Sequence, residues 1–118
     1  MFKFDYYDWD EYFDFVRNLP LKERTKLVNR VITIEHKGLY FSSKQKWTRK
    51  MSGYVNLLEI RSNFSSNIIR VLFFKSSNGK YVITNAFKKK SQKTPREEIN
   101  KALRRRRIYE GKYGNFNE

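Results

Sequence analysis

Three consecutive strand patterns constrain the fold of this sequence more than any other feature. Residues 55–62, 68–75 and 80–87 are each rich in β-branched and aromatic side chains. Asn78-Gly79, between the last two segments, is typical of a type I′ hairpin turn, and a looser turn separates the first two. Strands so close in sequence usually pair with one another. The sequence therefore predicts a three-stranded antiparallel meander.

The N-terminal third predicts a short strand and a helical hairpin. Residues 2–6 alternate aromatic and polar side chains, as in a half-buried strand. Asp8 is a suitable N-cap for a first helix, which Pro20 must end. Apolar residues at helical spacing predict a second helix over about residues 21–37, and Gly38 fits its C-terminal cap.

The C-terminal third predicts one more helix. Thr94 is a natural N-cap, Pro95 fits the first helical position, and Glu97 completes a capping box. We expect the chain to fray after about residue 110. The basic stretch at 44–53 is weakly patterned and predicts a loop or a short strand.

The order β-α-α-β-β-β-α belongs to the α+β class, because the helices are separated from the antiparallel strands. With 118 residues, the chain has the length of one domain. We expect a single domain over residues 1–118, in which the sheet packs against the N-terminal hairpin and a C-terminal helix.

The charge predicts a polyanionic partner. Lys and Arg number 26 against 12 Asp and Glu, a net charge of +14, although residues 1–19 are net negative. So large an excess favours nucleic acid as partner, and an aromatic content of 17% is too high for a disordered basic tail. Cysteine is absent, no apolar run has membrane-spanning length, and the acidic start differs from a signal peptide. We expect a cytoplasmic protein with no membrane partner.

The side chains present exclude several kinds of catalytic site. His36 is the only histidine and there is no cysteine, which excludes zinc sites and Cys–His dyads. The sequence contains no Gly-rich phosphate loop. The acids concentrate near the N-terminus, where helix capping explains several of them, so a two-metal nuclease is disfavoured. We expect neither a metal nor a cofactor.

Two arginines lie inside predicted strands, where cations are costly. Arg61 and Arg70 would extend from the sheet as rigid guanidinium groups suited to phosphate oxygens. An ion pair is the alternative for each, with Glu59 as a possible partner. The lysines at 88–90 follow the last strand and are expected to line the rim of the same face, with Phe87 beside them as a ring that can stack on a base.

These segments resemble the RelE/HigB-type toxins of bacterial type II toxin–antitoxin modules, particularly the phage Gp49-like branch. The similarity rests on Leu-Leu-Glu-Ile-Arg at 57–61, the strand at 68–74, and the Lys-Lys and Thr-Pro motif within 86–99, followed by Ala102. Ala86 stands where the branch usually has Gly. Residues 12–31, with a Leu-Pro break, also resemble the family's helical hairpin, so the resemblance covers about residues 2–109.

The resemblance implies a RelE-like fold and a metal-independent endoribonuclease that cleaves mRNA on the ribosome. A ribose 2′-OH would attack its own phosphodiester, with Arg61 and Arg70 stabilising the phosphate. Lys50, Lys88 or Lys89 would clamp the phosphate or transfer protons. The RNA-binding residues would be Phe87, Lys90, Lys46, Arg104, Arg107 and Tyr109. The last of these would replace a tyrosine that some relatives place in the site. The run at 104–107 winds around a helix, so part of it is expected to be a general electrostatic patch.

The resemblance also implies a cognate antitoxin, commonly a helix-turn-helix protein similar to HigA. The toxin would reach operator DNA only through that complex. Two alternatives remain open. A ParE-like relative would use the same fold to inhibit gyrase, and a non-catalytic protein would use the charge only to bind nucleic acid.

Overall fold

A computed structural model describes residues 1–89 and 94–115. The strands are β1 (Asp5–Tyr6), β2 (Thr48–Lys50), β3 (Leu58–Phe64), β4 (Asn67–Lys75) and β5 (Tyr81–Lys89). The helices are α1 (Trp9–Arg17), α2 (Leu21–Lys37), α3 (Leu39–Lys44) and α4 (Arg96–Tyr113). The predicted elements are all present, with α3 as an addition and β2 in the stretch where the sequence left a loop or strand open.

The strands form one sheet in the order β1-β5-β4-β3-β2. The antiparallel meander is confirmed, because β3 pairs with β4 and β4 with β5 in antiparallel register. The whole sheet is mixed, because β1 lies parallel to β5. The α+β class is confirmed, and the arrangement is consistent with a RelE-like fold.

The two faces of the sheet are covered by different helices. Alternate residues of β4, including Val71 and Phe73, join a core cluster with Leu27 and Val31 of α2. The intervening side chain of Leu72 packs against α4 instead. Since side chains alternate along a strand, residues 70, 72 and 74 all project toward the α4 face. The result is a three-layer structure with the sheet in the middle.

Two of the predicted helix boundaries are confirmed. The Asp8 carboxylate accepts a hydrogen bond from the Glu11 N–H at 3.0 Å and caps α1. Gly38 follows α2 with φ of +87°, a conformation that few other residues adopt without strain. No helix in the described part of the chain is long and apolar enough to cross a membrane.

The predicted N-terminal cap of α4 is wrong. Pro95 occupies the N-cap position, and no side chain caps the helix there. The Thr94 hydroxyl instead lies 3.4 Å from both Glu59 and Arg70, so it serves a tertiary contact. At the other end α4 continues to Tyr113, whose carbonyl accepts from Asn78, so the regular helix extends beyond residue 110. Residues 116–118 of the tail lie outside the described residues.

The turn at Asn78-Gly79 differs from the predicted type I′. Gly79 has a φ of +93°, whereas Asn78 is not among the residues with positive φ. The Gly79 N–H donates to the Ser76 carbonyl at 2.9 Å, and the Ser76 N–H donates to Lys80 at 2.8 Å. This is a longer loop that closes on an αL glycine. The Asn78 amide donates to the Tyr109 hydroxyl at 3.2 Å, so the turn also contacts α4.

The four consecutive arginines of α4 have different roles. Arg105 donates to Glu11 at 3.1 Å and to the Thr84 carbonyl at 2.9 Å. Arg106 donates to the carbonyls of residues 55 and 56 at 2.7 and 2.8 Å. Arg104 and Arg107 are exposed. The run therefore divides into two arginines that hold the fold together and two that face solvent, as its winding around a helix requires.

Arg105→Ala is expected to lower the free energy of unfolding by about 1–2 kcal/mol, because charge-assisted hydrogen bonds are lost at a partly exposed site. The neighbouring change Arg104→Ala should cost less than about 0.5 kcal/mol. Urea denaturation measures both. Since Arg105 lowers the pKa of Glu11, its stabilising effect is present above the ordinary pKa of a glutamate. The difference between the variants should therefore shrink as the pH falls through that lowered pKa. Equal losses for the two variants would contradict this assignment.

Candidate active site

A cavity of about 620 Å³ lies between β2, the loop that follows it, the end of β5 and the start of α4. We call it the cationic cleft. Four of its described lining residues are cations and none is an acid. It is lined by Arg49, Lys50, Met51, Ser52, Tyr54, Lys89, Thr94, Pro95, Arg96 and Ile99.

Strand pairing and helix position bring these cations together. Arg49 and Lys50 belong to β2, which pairs with β3 so that Arg49 lies opposite Glu59. Lys89 is the last residue of β5, and Arg96 is the first residue of α4. The sequence separates them by as many as 47 positions, so only the sheet and the packing of α4 concentrate their charges.

A buried carboxylate lies beneath the cleft. Glu59 is fully buried, and its oxygens accept hydrogen bonds from Arg70 Nη1 at 2.7 and 3.0 Å. Arg49 Nε donates to the same carboxylate at 2.9 Å, and Arg61 Nε lies 3.5 Å from it. The Thr94 hydroxyl adds a contact at 3.4 Å. One carboxylate thus connects β2, β3, β4 and the residue that leads into α4.

The two strand arginines predicted to bind phosphate lie directly opposite each other in the pairing of β3 with β4. Arg70 is fully buried, so in this structure it forms the ion pair with Glu59 that the sequence left as an alternative. The Arg61 side chain is 24% exposed and borders a separate hollow beside Lys26 and Lys46. Burial, together with the nearby Arg70 and Arg49, lowers the pKa of Arg61.

The predicted lysine cluster is divided by the sheet. Lys89 lines the cationic cleft, as does Lys50. Lys88 projects to the other face, where its Nζ lies 2.9 Å from Glu23 of α2. The expectation that residues 88–90 line one face is wrong for Lys88, because successive side chains of a strand point in opposite directions. Lys90 lies outside the described residues.

Two aromatic residues that are predicted to bind RNA pack inside the fold. Phe87 pairs with Arg70 across the strands and is partly buried in the cluster beneath α4. Tyr109 is 4% exposed, and its hydroxyl donates to Asp5 at 2.7 Å. It lies about 20 Å along α4 from Arg96, given 1.5 Å per residue. Tyr109 therefore does not line the cationic cleft, and its role in RNA binding stays a prediction.

The remaining predicted RNA-binding residues lie outside the cleft. Lys46 is exposed, has a φ of +64° and borders the hollow that also contains Arg30 and Arg61. Arg104 and Arg107 are exposed on α4. They can contribute to the field around the protein, but none of the three lines the cleft.

Among the cleft residues that sequence reasoning did not assign to the site are two arginines and a tyrosine: Arg49, Arg96 and Tyr54. Arg96 carried a usable signal, since it follows the Thr-Pro motif and occupies the start of the helix. Arg49 and Tyr54 carried none, because the stretch around them is weakly patterned. The first strand of the meander, predicted to begin at residue 55, begins at Leu58 as β3. Residues 51–57 therefore form a loop that bounds the cleft.

That loop is held in place by distant residues. The Asn56 side chain both donates to and accepts from the Lys75 backbone, each at 2.9 Å. Arg106 of α4 binds the carbonyls of residues 55 and 56. Asn56 has a φ of +54°, which an asparagine tolerates better than most residues. Tyr54 therefore belongs to a loop that these hydrogen bonds hold in place at the edge of the cleft.

The fold and the cleft define a RelE-like α+β protein with a cationic site. A family model described as phage derived protein Gp49-like (DUF891) matches residues 14–107. The chain therefore belongs to the Gp49-like family, a RelE-like family associated with the toxins of toxin–antitoxin modules. Membership suggests an antitoxin as partner. Comparison with curated proteins finds no match.

Glu59→Gln is expected to lower the free energy of unfolding by about 3–5 kcal/mol, because it leaves Arg70 as a buried charge without its counterion. Asp14→Asn, the same change in an exposed ion pair with Arg17, should cost at most about 1 kcal/mol. Urea denaturation of both proteins provides the comparison. The double change Glu59→Leu with Arg70→Met should recover most of the loss, since it removes both charges. A loss in Glu59→Gln no larger than that in Asp14→Asn would rule out the pair as a stabilising contact.

Proposed function

We propose that this chain is a HigB/RelE-type toxin of a type II toxin–antitoxin module and that it cleaves mRNA in the cationic cleft. The observation that carries the proposal is the composition of that cleft: four described cations and no acid, above a buried carboxylate that orients one of them. Such a site attracts a phosphodiester and stabilises added negative charge on it. Family membership supports the toxin function.

The proposed reaction needs no metal. The ribose 2′-oxygen forms a bond to the adjacent phosphorus, and the bond from phosphorus to the 5′-oxygen breaks. A cyclic 2′,3′-phosphate and a 5′-hydroxyl result. One proton leaves the 2′-hydroxyl and another reaches the departing 5′-oxygen. The protein has to align the attack, neutralise the charge of the pentavalent transition state and transfer these protons.

The cleft residues divide these tasks. Arg49 and Arg96 are placed to bind the phosphate oxygens through paired N–H donors. Lys50 and Lys89, which line the cleft beside these arginines, are the candidates for proton transfer. Arg70 acts as a positioning residue, since it fixes the Glu59 carboxylate that holds Arg49. Arg61 does not line the cleft and lies at the separate hollow beside Lys26 and Lys46.

Much of the remaining charge serves docking in this proposal. The net charge of +14 and the exposed Arg104, Arg107 and Lys46 suit a ribosome-bound mRNA, which surrounds the toxin with phosphates. The partner is a cognate antitoxin, a helix-turn-helix protein of the HigA kind. Contact with operator DNA takes place only through the toxin–antitoxin complex.

The test is tightly controlled expression followed by mapping of mRNA 5′ ends, and incubation of the purified protein with mRNA in the presence and absence of ribosomes. New 5′-hydroxyl ends within coding sequences are expected. Intact mRNA together with a DNA-damage response would favour a gyrase inhibitor. RNA binding without cleavage would favour a non-catalytic nucleic-acid-binding protein, and either result would contradict the proposal.

Lys88 and Lys89 provide a matched pair for the site assignment. Lys89→Ala is expected to lower the cleavage rate by about 10²-fold or more, because it removes a cation from the developing charge. Lys88→Ala should retain cleavage but lose about 1–3 kcal/mol of unfolding free energy, because the buried Glu23 loses its partner. Single-turnover cleavage and urea denaturation separate the two effects. Equal activity of the two variants would contradict the assignment of the cleft.

A further inference from the structure

A second cavity, of about 610 Å³, adjoins the cationic cleft. The two share Arg49, Lys50 and Tyr54 as common lining residues. The second cavity is different in chemistry, because three tyrosines, Tyr40, Tyr54 and Tyr81, contribute to its wall. We call it the tyrosine cavity. Its volume falls within the range of roughly 300–1,000 Å³ that is usual for small-ligand sites.

The tyrosines come from three different parts of the fold. Tyr40 belongs to α3, Tyr54 to the loop before β3, and Tyr81 begins β5. Lys44 Nζ lies 5.3 Å from the ring centroid of Tyr40, and Lys75 Nζ lies 5.6 Å from that of Tyr81. Three cations, Arg49, Lys50 and Lys75, line the cavity together with the three tyrosines, and sites that hold single-stranded nucleic acid combine the same two kinds of side chain.

The wall of the tyrosine cavity is largely preformed. The Tyr81 ring packs against Phe2 and Phe73, with centroids 5.4 and 6.2 Å apart. The loop that carries Tyr54 is tied down by Asn56 and Arg106, as described above. Tyr40, in contrast, is 78% exposed and is held mainly by its own short helix. A planar ligand would therefore meet two fixed rings and one that can adjust.

We propose that the tyrosine cavity binds a nucleobase of single-stranded RNA whose neighbouring phosphate occupies the cationic cleft. A nucleotide joins an anionic phosphate to a planar base. The cationic cleft can bind the phosphate and the tyrosine cavity can bind the base, with Arg49 and Lys50 between the two cavities. The inference rests on the proposed function and adds to it a base-binding subsite. In this proposal Tyr40 and Tyr54 contact the base next to the scissile phosphate and so determine which RNA sequences are cleaved.

The test is a double-mutant cycle between the protein and the RNA. A short 2′-O-methyl oligonucleotide of mixed sequence, which lacks the attacking hydroxyl, reports binding without cleavage. A series of copies carries one abasic nucleotide at successive positions. Affinities are measured by fluorescence anisotropy for the unmodified protein, for Tyr40→Ala and for Tyr113→Ala. Tyr113 is an exposed tyrosine of α4 outside both cavities, so it serves as the matched control.

At one position, loss of the base should weaken binding to the unmodified protein by about 10-fold, the usual contribution of one stacked base. The same loss should have little effect on Tyr40→Ala and its full effect on Tyr113→Ala. RNA binding with no coupled position would overturn the base-binding subsite and leave the proposed function intact. Absence of RNA binding together with intact mRNA after expression would overturn both.

Discussion

The ion pair between Glu59 and Arg70 is the interaction on which the rest of the structure depends. Both side chains are fully buried, and removing two charges from water costs several kcal/mol each unless each charge is well compensated. The compensation here requires a precise geometry: Arg70 meets both carboxylate oxygens, and Arg49 and Thr94 complete the shell. The positions of β2, β3, β4 and the start of α4 are therefore set relative to one carboxylate.

The same pair explains how a protein of net charge +14 can concentrate cations in one cleft. Cations that close to one another repel. Beside the cleft, burial together with the nearby Arg70 and Arg49 lowers the pKa of Arg61. The Glu59 carboxylate offsets part of this repulsion from below without presenting an acid to the cleft. Elsewhere acids are used for structure: Glu11 holds Arg105 and Glu23 holds Lys88. The uncompensated positive charge is thus available for a phosphodiester.

The sequence allowed the α+β class, the helical hairpin and the meander to be predicted, because hydrophobic periodicity and turn residues are local signals. It also placed Arg61 and Arg70 in neighbouring strands, and Lys50 and Lys89 among the candidate residues, on the strength of a family resemblance. It failed where a partner lies far along the chain. Tyr109 contacts Asp5, which lies 104 positions earlier in the chain. Thr94 contacts Glu59, which lies 35 positions earlier.

The sequence by itself therefore determined most of the segments that become helices and strands, with α3 as the exception, and the large positive charge of the protein. Only the tertiary structure decided which cations meet. Period-2 alternation states that Lys88 and Lys89 face opposite sides of a strand, but it does not state which side a helix will cover. The position of α4 settles that question, because its first turn closes the cleft over Lys89, while α2 takes Lys88 into an ion pair. Net charge follows from composition alone, whereas a binding site requires packing that brings distant charges together. The buried Glu59 carboxylate offsets part of the repulsion between them.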